Sequence, residues 1–358
     1  MSGPSSATSR AATLPGVWWR RAACSAALTA LVGCAGGGPP GSLAVTSLPS
    51  WPGEAPSEAH GALAANCTTL AGMADDAMLG GIGPGGTPGR WREFCSELAV
   101  TPPSGLQRLI ERRLVAIDQG DGRMTGYYEP MLRGSRTRSA AYPVPLLRRP
   151  DATGQLPSRA QIDAGALSGR GLELLYVDSE EDLFFLQIQG SGRVQLENGD
   201  IVRVSYAGSN GHPYVAVGRL LIERGEVPRE QMSMQAIRGW MRRSGHRAAL
   251  DLMHRNPSYI FFREVTGSSA DAGPPGTLGA PLTPGRSVAV DRDFVPLGVP
   301  VFLVPEGGVG PRIAAAQDTG GAIRGQARAD FFTGWGDVAG EQAGTMNQPL
   351  RLFVLVPR

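Results

Sequence analysis

At 358 residues the chain has enough material for about two domains of ordinary size. A net charge of +2 projects no long-range field, which sets nucleic acid aside as a partner, and four His with four Cys show no metal-ligand spacing. Fifty Gly and 29 Pro against 7 Tyr and 10 Phe imply many turns and short strands, hence a mainly β body of the β-rich α+β kind. Nothing in the composition calls for a cofactor.

The chain opens with basic residues Arg10, Arg20 and Arg21, then a run from Ala22 to Gly33 that is apolar but too brief to span a bilayer comfortably. That run ends Leu31-Val32-Gly33-Cys34-Ala35, which resembles a bacterial lipobox. The resemblance implies that residues 1–33 are a lipoprotein signal peptide and that Cys34 becomes the lipidated first residue. Ala35, where an inner-membrane lipoprotein would carry Asp, implies sorting to the periplasmic face of the outer membrane. Residues 34–60, mostly Gly, Pro, Ser and Ala, are predicted to be a flexible tether. Cys67 and Cys95 then remain as a pair of thiols in an oxidising compartment, where a disulfide would stabilise by roughly 3 kcal/mol.

Helical apolar spacing is predicted over Ala62–Met78, Arg90–Leu98 and Leu106–Leu114, with Gly80–Gly89 as a break. Met124–Pro130 reads as an aromatic strand, and Tyr142–Leu147 as an edge segment because of Pro143 and Pro145. Ser158 caps a short helix. Strands are expected at Leu172–Val177, Leu183–Ile188 and Arg193–Leu196, with Asn198-Gly199 turning into Ile201–Tyr206. Helices follow at Val215–Arg224, Ser233–Ser244 and Ala248–Arg255, the Trp240–Arg243 run reading as a solvated face. Tyr259–Glu264, Ser287–Asp291, Pro300–Val304, Ile313–Ala316 and Leu350–Val356 read as strands. Strands on both sides of the middle block imply one β domain interrupted by another.

Chemistry concentrates in Gln317–Gly340, where Asp318, Asp330 and Asp337 sit among glycines beside Phe331, Phe332 and Trp335. Cleaving an acetal needs a proton donor for the leaving oxygen and an anion to steady an oxocarbenium-like transition state. An Asp packed against aromatic rings loses solvation of its charged form, so its pKa rises towards that of a general acid. Each of these aspartates taken alone is equally a turn or cap residue.

Several motifs together resemble the membrane-bound lytic murein transglycosylase A family. They are Thr125–Pro130, Gln189–Gly192, Tyr206–Tyr214, Asn256–Tyr259, Leu282–Ser287, Ala289–Asp291, Pro296–Gly298, Gln317–Ile323 and Arg328–Phe332, covering roughly residues 90 to 358. The resemblance implies a double-psi β-barrel catalytic domain (61–131 and 250–358) interrupted by an inserted β-barrel substrate-binding domain (132–249), with a groove between them. It places the catalytic aspartate at Asp330, with Asp318 as neighbour and Thr125 near the groove. Tyr127, Gln189, Ser191, Tyr206, Gly208, Asn210 and His212 are candidates to grip a sugar by hydrogen bonds, stacking or close backbone approach. Asn210-Gly211 as a turn and His212 as a helix-entry residue are the plain alternatives.

The implied activity is cleavage of the β-1,4 bond between N-acetylmuramic acid and N-acetylglucosamine with a 1,6-anhydromuramoyl product, acting on peptidoglycan strands and in company with cell-wall synthesis proteins. A hydrolase using Asp318 or Asp337 as a second carboxylate, and a non-catalytic expansin-like wall-binding lipoprotein, are the alternatives.

Overall fold

The computed structural model describes residues 39–80, 86–266 and 272–358, so the signal-peptide and Cys34 expectations lie outside the described residues. The first part of the chain contributes β1 (Leu43–Ala44), α1 (Ala59–Ala71), α2 (Arg92–Val100), α3 (Leu106–Arg113) and the long β2 (Leu114–Glu129). A middle block runs β3 (Met131–Ser135), β4 (Val144–Leu147), α4 (Arg159–Asp163), β5 (Glu173–Val177), α5 (Glu180–Gln189), β6 (Ser191–Leu196) and β7 (Ile201–Ser209). It continues through α6 (Val217–Glu223), α7 (Met234–Ser244) and α8 (His246–His254) to β8 (Ile260–Glu264). The last part holds β9 (Ser287–Val290), β10 (Pro300–Pro305), β11 (Arg312–Asp318), β12 (Arg328–Trp335), α9 (Gly336–Thr345) and β13 (Asn347–Pro357).

Strands β2, β12, β9, β11, β10 and β13 hydrogen-bond in that order, and β13 pairs back onto β2, so the sheet closes into a barrel with β1 added beside β2. The second sheet runs β4-β5-β3-β6-β7-β8 and puts the proline-bearing β4 at its edge, as the sequence implies. The barrel is therefore built from chain on both sides of the second sheet. Its interior is apolar: Val288, Val290, Phe302, Ala314, Ala329, Phe331, Phe353 and Leu355 are buried together with Leu63, Phe94 and Ile110 of the helices. Helix α9 lies so close over β2 that a Cβ on Gly126 would stand 2.8 Å from the Ala343 backbone. Only glycine allows that approach.

Local signals hold where a side chain carries the geometry. Ser158 and Gln161 form a reciprocal capping box, and Ser233 Oγ accepts from Ala236 N at 3.1 Å at the start of α7. Asn198-Gly199 turns β6 into β7. Cys67 and Cys95 are joined as a disulfide linking α1 to α2.

Four expectations are corrected. The segment expected as a tether up to residue 60 is packed from Leu43 onward: Val45 and Leu48 are buried and Trp51 stacks edge-on against Phe302 at 5.1 Å. Buried Arg286 also donates to the carbonyls of Glu54 and Ala55 at 3.1 and 2.9 Å and to Glu58 at 2.8 Å. A few well-spaced apolar residues and one buried cation outweigh a Gly/Pro-rich composition. Leu183–Ile188, expected as a strand, is the body of α5. Ser179 caps the helix by accepting from Asp182 N, three acids fill its first turn, and Gly190 ends it at φ 82°. Phe184, Phe185 and Leu186 are all buried, and such a continuous apolar run carries no period to separate helix from strand. Trp240, expected on a solvated face, is buried with Met241 against Phe184, Phe185 and Leu221 and donates to Glu226 at 3.2 Å. Finally, the expected return to the barrel at residue 250 precedes β8, which pairs with β7 and still belongs to the second sheet.

Candidate active site

The register of the barrel wall assembles the site. Thr125 of β2 pairs with Asp330 of β12, Asp330 pairs with Ala289 of β9, and Ala289 pairs with Asp318 of β11. Residues in one row across adjacent strands share a face, and alternation along each strand decides which face. On β12, Ala329 and Phe331 point into the barrel core while Arg328, Asp330 and Phe332 take the opposite side. On β9, Val288 and Val290 are core and Ala289 is not. The two aspartates therefore flank a small alanine on the outer face of the wall, over a floor of Tyr127, Leu282, Ile323 and Phe332. Asp330, read from sequence as lying among turn residues, is in the middle of a strand.

The two carboxylates are held differently. Asp330 Oδ1 accepts from the Thr125 hydroxyl, and Thr125 Oγ1 accepts from Arg328 Nη2 at 2.7 Å. Asp318 Oδ1 accepts from both Thr277 N (2.9 Å) and Thr277 Oγ1 (2.8 Å), while its Oδ2 accepts from the Tyr127 hydroxyl at 3.1 Å. Each aspartate keeps part of its surface open. Enclosure by protein nevertheless raises both carboxyls above the ordinary range. For Asp330 burial is the main cause, opposed by the Thr125 hydrogen bond and the Arg328 charge and reinforced by Asp318. For Asp318 burial again dominates, against the hydrogen bonds from Thr277, Thr319 and Tyr127. Burial, and then the two nearby carboxylates, push the Tyr127 phenol well above its usual value, so it stays a donor.

The second sheet meets the barrel at the end of β2. Tyr128 N donates to Gln189 Oε1 at 3.1 Å. Buried Glu129 accepts from Arg193 Nε at 2.7 Å, and the Arg193 guanidinium lies 4.2 Å over the Trp335 ring. Burial lifts the Glu129 carboxyl against the pull of Arg193. Gln189 at the end of α5 is thus joined to the strand that carries Thr125 and Tyr127, and Ser191 opens β6 two residues further on. Tyr206 is 52% exposed on β7, whose Ser205 pairs with Ser191. Gly208 has φ 133°, and a Cβ there would meet Arg149 Cδ at 2.4 Å.

Asn210 and His212 are not brought to the carboxylates. Asn210 is fully buried, donates to the carbonyls of Pro157 (3.0 Å) and Pro257 (2.8 Å), and accepts from Tyr259 N (2.9 Å) and His212 N (3.3 Å). His212 Nε2 lies 2.9 Å from the Leu156 carbonyl. Both residues knit loops together. Asp337 is exposed in the first turn of α9, where its charge suits the helix N-terminus. Asp291 accepts from Gly325 N at 2.8 Å and from Asp293 N at 3.2 Å, a turn-supporting role. Among the described residues no group of His, Cys, Asp and Glu is arranged to hold a metal. An apolar pocket of about 370 Å³ lies beside the disulfide between α1 and α2, on elements that carry neither aspartate.

Sequence reasoning missed Thr277 and Arg328. Arg328 was legible, because i and i+2 on a strand share a face. Thr277 sits in a Gly/Pro-rich connection with no signal of its own.

A closed barrel bearing an enclosed carboxyl pair on its wall, with a second sheet inserted beside it, is a two-domain protein with an acid–base site of the kind that acetal cleavage requires. The profile of the MltA specific insert domain matches residues 123–263, and that of the 3D domain matches residues 286–356. The chain is 39% identical over 250 residues to the membrane-bound lytic murein transglycosylase A of Escherichia coli K12, covering 67% of each. A lytic murein transglycosylase structure from Agrobacterium tumefaciens superposes with a TM-score of 0.78 at 31% identity, covering 88% of this chain and 97% of that one. The Escherichia coli MltA structure with bound chitohexaose gives 0.68 at 31% identity, covering 83% and 90%. The chain belongs to the membrane-bound lytic murein transglycosylase A family, whose members are peptidoglycan-cleaving lyases.

Proposed function

We propose that this enzyme cleaves the β-1,4 bond between N-acetylmuramic acid and N-acetylglucosamine and leaves a 1,6-anhydromuramoyl end, with Asp330 acting as general acid and then as base. Its carboxyl, whose hold on the proton is strengthened by burial, gives that proton to the glycosidic oxygen as the N-acetylglucosamine unit leaves. The resulting carboxylate takes the proton of the muramoyl 6-hydroxyl, whose oxygen bonds to the anomeric carbon of the same sugar. The nucleophile is tethered to its electrophile, so effective molarity replaces an activated water.

The observation that carries this reading is the contrast between the two carboxylates. Both Asp318 oxygens are engaged by Thr277 and Tyr127, which suits a fixed countercharge for the oxocarbenium-like state more than a base that must reach for water. A hydrolase would need a second carboxylate free to activate water, and Asp337 stands on another element. The reading takes the substrate along the side where the second sheet is joined to β2 through Gln189 and Tyr128, with Ser191, Tyr206 and Gly208 as further candidates to hold it. The chitohexaose bound to the Escherichia coli relative supports a glycan strand as the ligand. Leu31–Cys34, together with relatives named membrane-bound, supports lipid anchoring through Cys34 at the outer membrane.

Mass spectrometry of the soluble products from purified peptidoglycan tests the chemistry, with wild type read beside D330N. Anhydro ends from wild type and none from D330N are expected. Reducing ends would mean hydrolysis, and sedimentation with the wall without any product would mean a binding module.

A further inference from the structure

The hydroxyl of Thr125 sits between a cation and a carboxylate, and its geometry has a direction. A hydroxyl has one hydrogen and two acceptor lone pairs, whereas a guanidinium has only donors. At 2.7 Å, Arg328 Nη2 must donate to Thr125 Oγ1. The Thr125 hydrogen points to Asp330 Oδ1, the acceptor left to it beside the guanidinium. A proton on Oδ1 would force the hydroxyl to turn away and give up this bond. The arrangement is built into the strands: Arg328 pairs with Arg123 and Asp330 with Thr125 in the parallel β12–β2 ladder. The guanidinium is itself clamped, Nη1 donating to the Ala329 carbonyl and, at 3.3 Å, to that of Arg123.

We propose that Arg328 is a positioning residue that orients the Thr125 hydroxyl, locks Asp330 Oδ1 as an acceptor and leaves Oδ2 as the atom that gives and takes the catalytic proton. The proposal rests on the reading of Asp330 as acid and base. One fixed oxygen gives the acid a single aim, which proton transfer at the glycosidic oxygen requires. The charged and titratable groups facing Asp330 are Arg328 on its own strand, Tyr127 on β2 and Asp318 on β11, while β9 offers Ala289 and Arg123 of β2 donates to Asn347 instead. Of these, Arg328 favours the ionised Asp330 while Asp318 opposes it.

The test is kinetics on purified peptidoglycan across pH for R328M, R328K, T125V, the double variant T125V/R328M and D330N. R328M is expected to lower kcat roughly 10- to 100-fold with KM unchanged, the loss attached to a misaimed acid. Its alkaline limb, where Asp330 loses its proton, should move to higher pH because a cation that favours the anion is gone. R328K should keep the wild-type limb while still losing kcat, because a lysine cannot bridge the hydroxyl and the carbonyls at once. In the T125V background R328M should cost little further kcat, since the relay is already broken.

Wild-type kcat and pH limb in R328M, or equal losses in both backgrounds, would overturn the proposal. Should R328M not fold, R328K is read in its place by kcat alone: a wild-type kcat, or equal losses with and without Thr125, would overturn the proposal. D330N separates the two levels: wild-type turnover in D330N removes the assignment of Asp330 itself, whereas an inactive D330N beside a wild-type R328M removes only the relay.

Discussion

Two motif-rich stretches, Gln317–Phe332 and Tyr206–Tyr214, look alike in sequence, each a set of polar residues among glycines. The fold uses them in opposite ways. In the first, strand register lines Asp330 and Asp318 up on an outer face with partly open carboxylates. In the second, the Asn210 amide is closed on all sides by backbone partners and His212 is tied to Leu156. The lesson is that a polar side chain belongs to a site when hydrogen-bonding capacity is left over, and to the fold when none is.

Opposite substitutions sharpen this contrast. D330N should abolish cleavage, with kcat falling by roughly 10²- to 10⁴-fold, while circular dichroism stays native. N210A should do the reverse. Losing four buried hydrogen bonds costs about 3 kcal/mol, read as a fall in the denaturation midpoint, and the fraction still folded should cleave at the wild-type rate. A large rate loss in folded N210A would break the comparison.

Removing the disulfide as C67A/C95A closes no new question at the site but measures the helical layer. The loop spans 28 residues, and its loss should cost roughly 3 kcal/mol in the chain-entropy model, with cleavage retained.

The raised carboxyls also predict a dependence on pH. Folding favours the protonated forms of Asp330 and Asp318, so their contribution is fully present below the ordinary carboxylate range and is lost as pH rises through their raised values. D330N should therefore melt higher than wild type at neutral pH, and the gap should close on acidification. A D330N melting point below wild type at every pH would contradict this. The smallest effect is expected for Y206A. If the exposed ring stacks on a sugar, KM rises roughly three- to tenfold, the worth of one stacking contact of about 1 kcal/mol, without a change in melting.

Much of this was legible before any coordinates. Interruption of one β domain by another followed from strand segments alone, and Ser158, Ser233 and Asn198-Gly199 announced their caps and turn. Legibility failed where long-range packing decides. The apolar run of α5 has no period because both of its sides are covered. The stretch from Leu43 to Glu58 is held by Arg286, more than two hundred residues away in sequence. Thr277 supports Asp318 from a connection whose composition says only that it bends. In the site, motifs gave the aspartates, but only register could show that Ala289 lies between them and that Arg328 reaches Thr125.

The pairing of β13 with both β10 and β2 sets an order of assembly. The second sheet is drawn from one unbroken stretch, residues 131–264, and its strands can find one another while later chain is still absent. The barrel cannot: β2 waits for β12 and for β13, and until Asn347–Pro357 arrives it presents an unpaired edge open to the wrong neighbour. The carboxyl pair on β12 and β11 therefore belongs to a sheet drawn from both ends of the chain, whereas the sheet beside it is complete within one stretch.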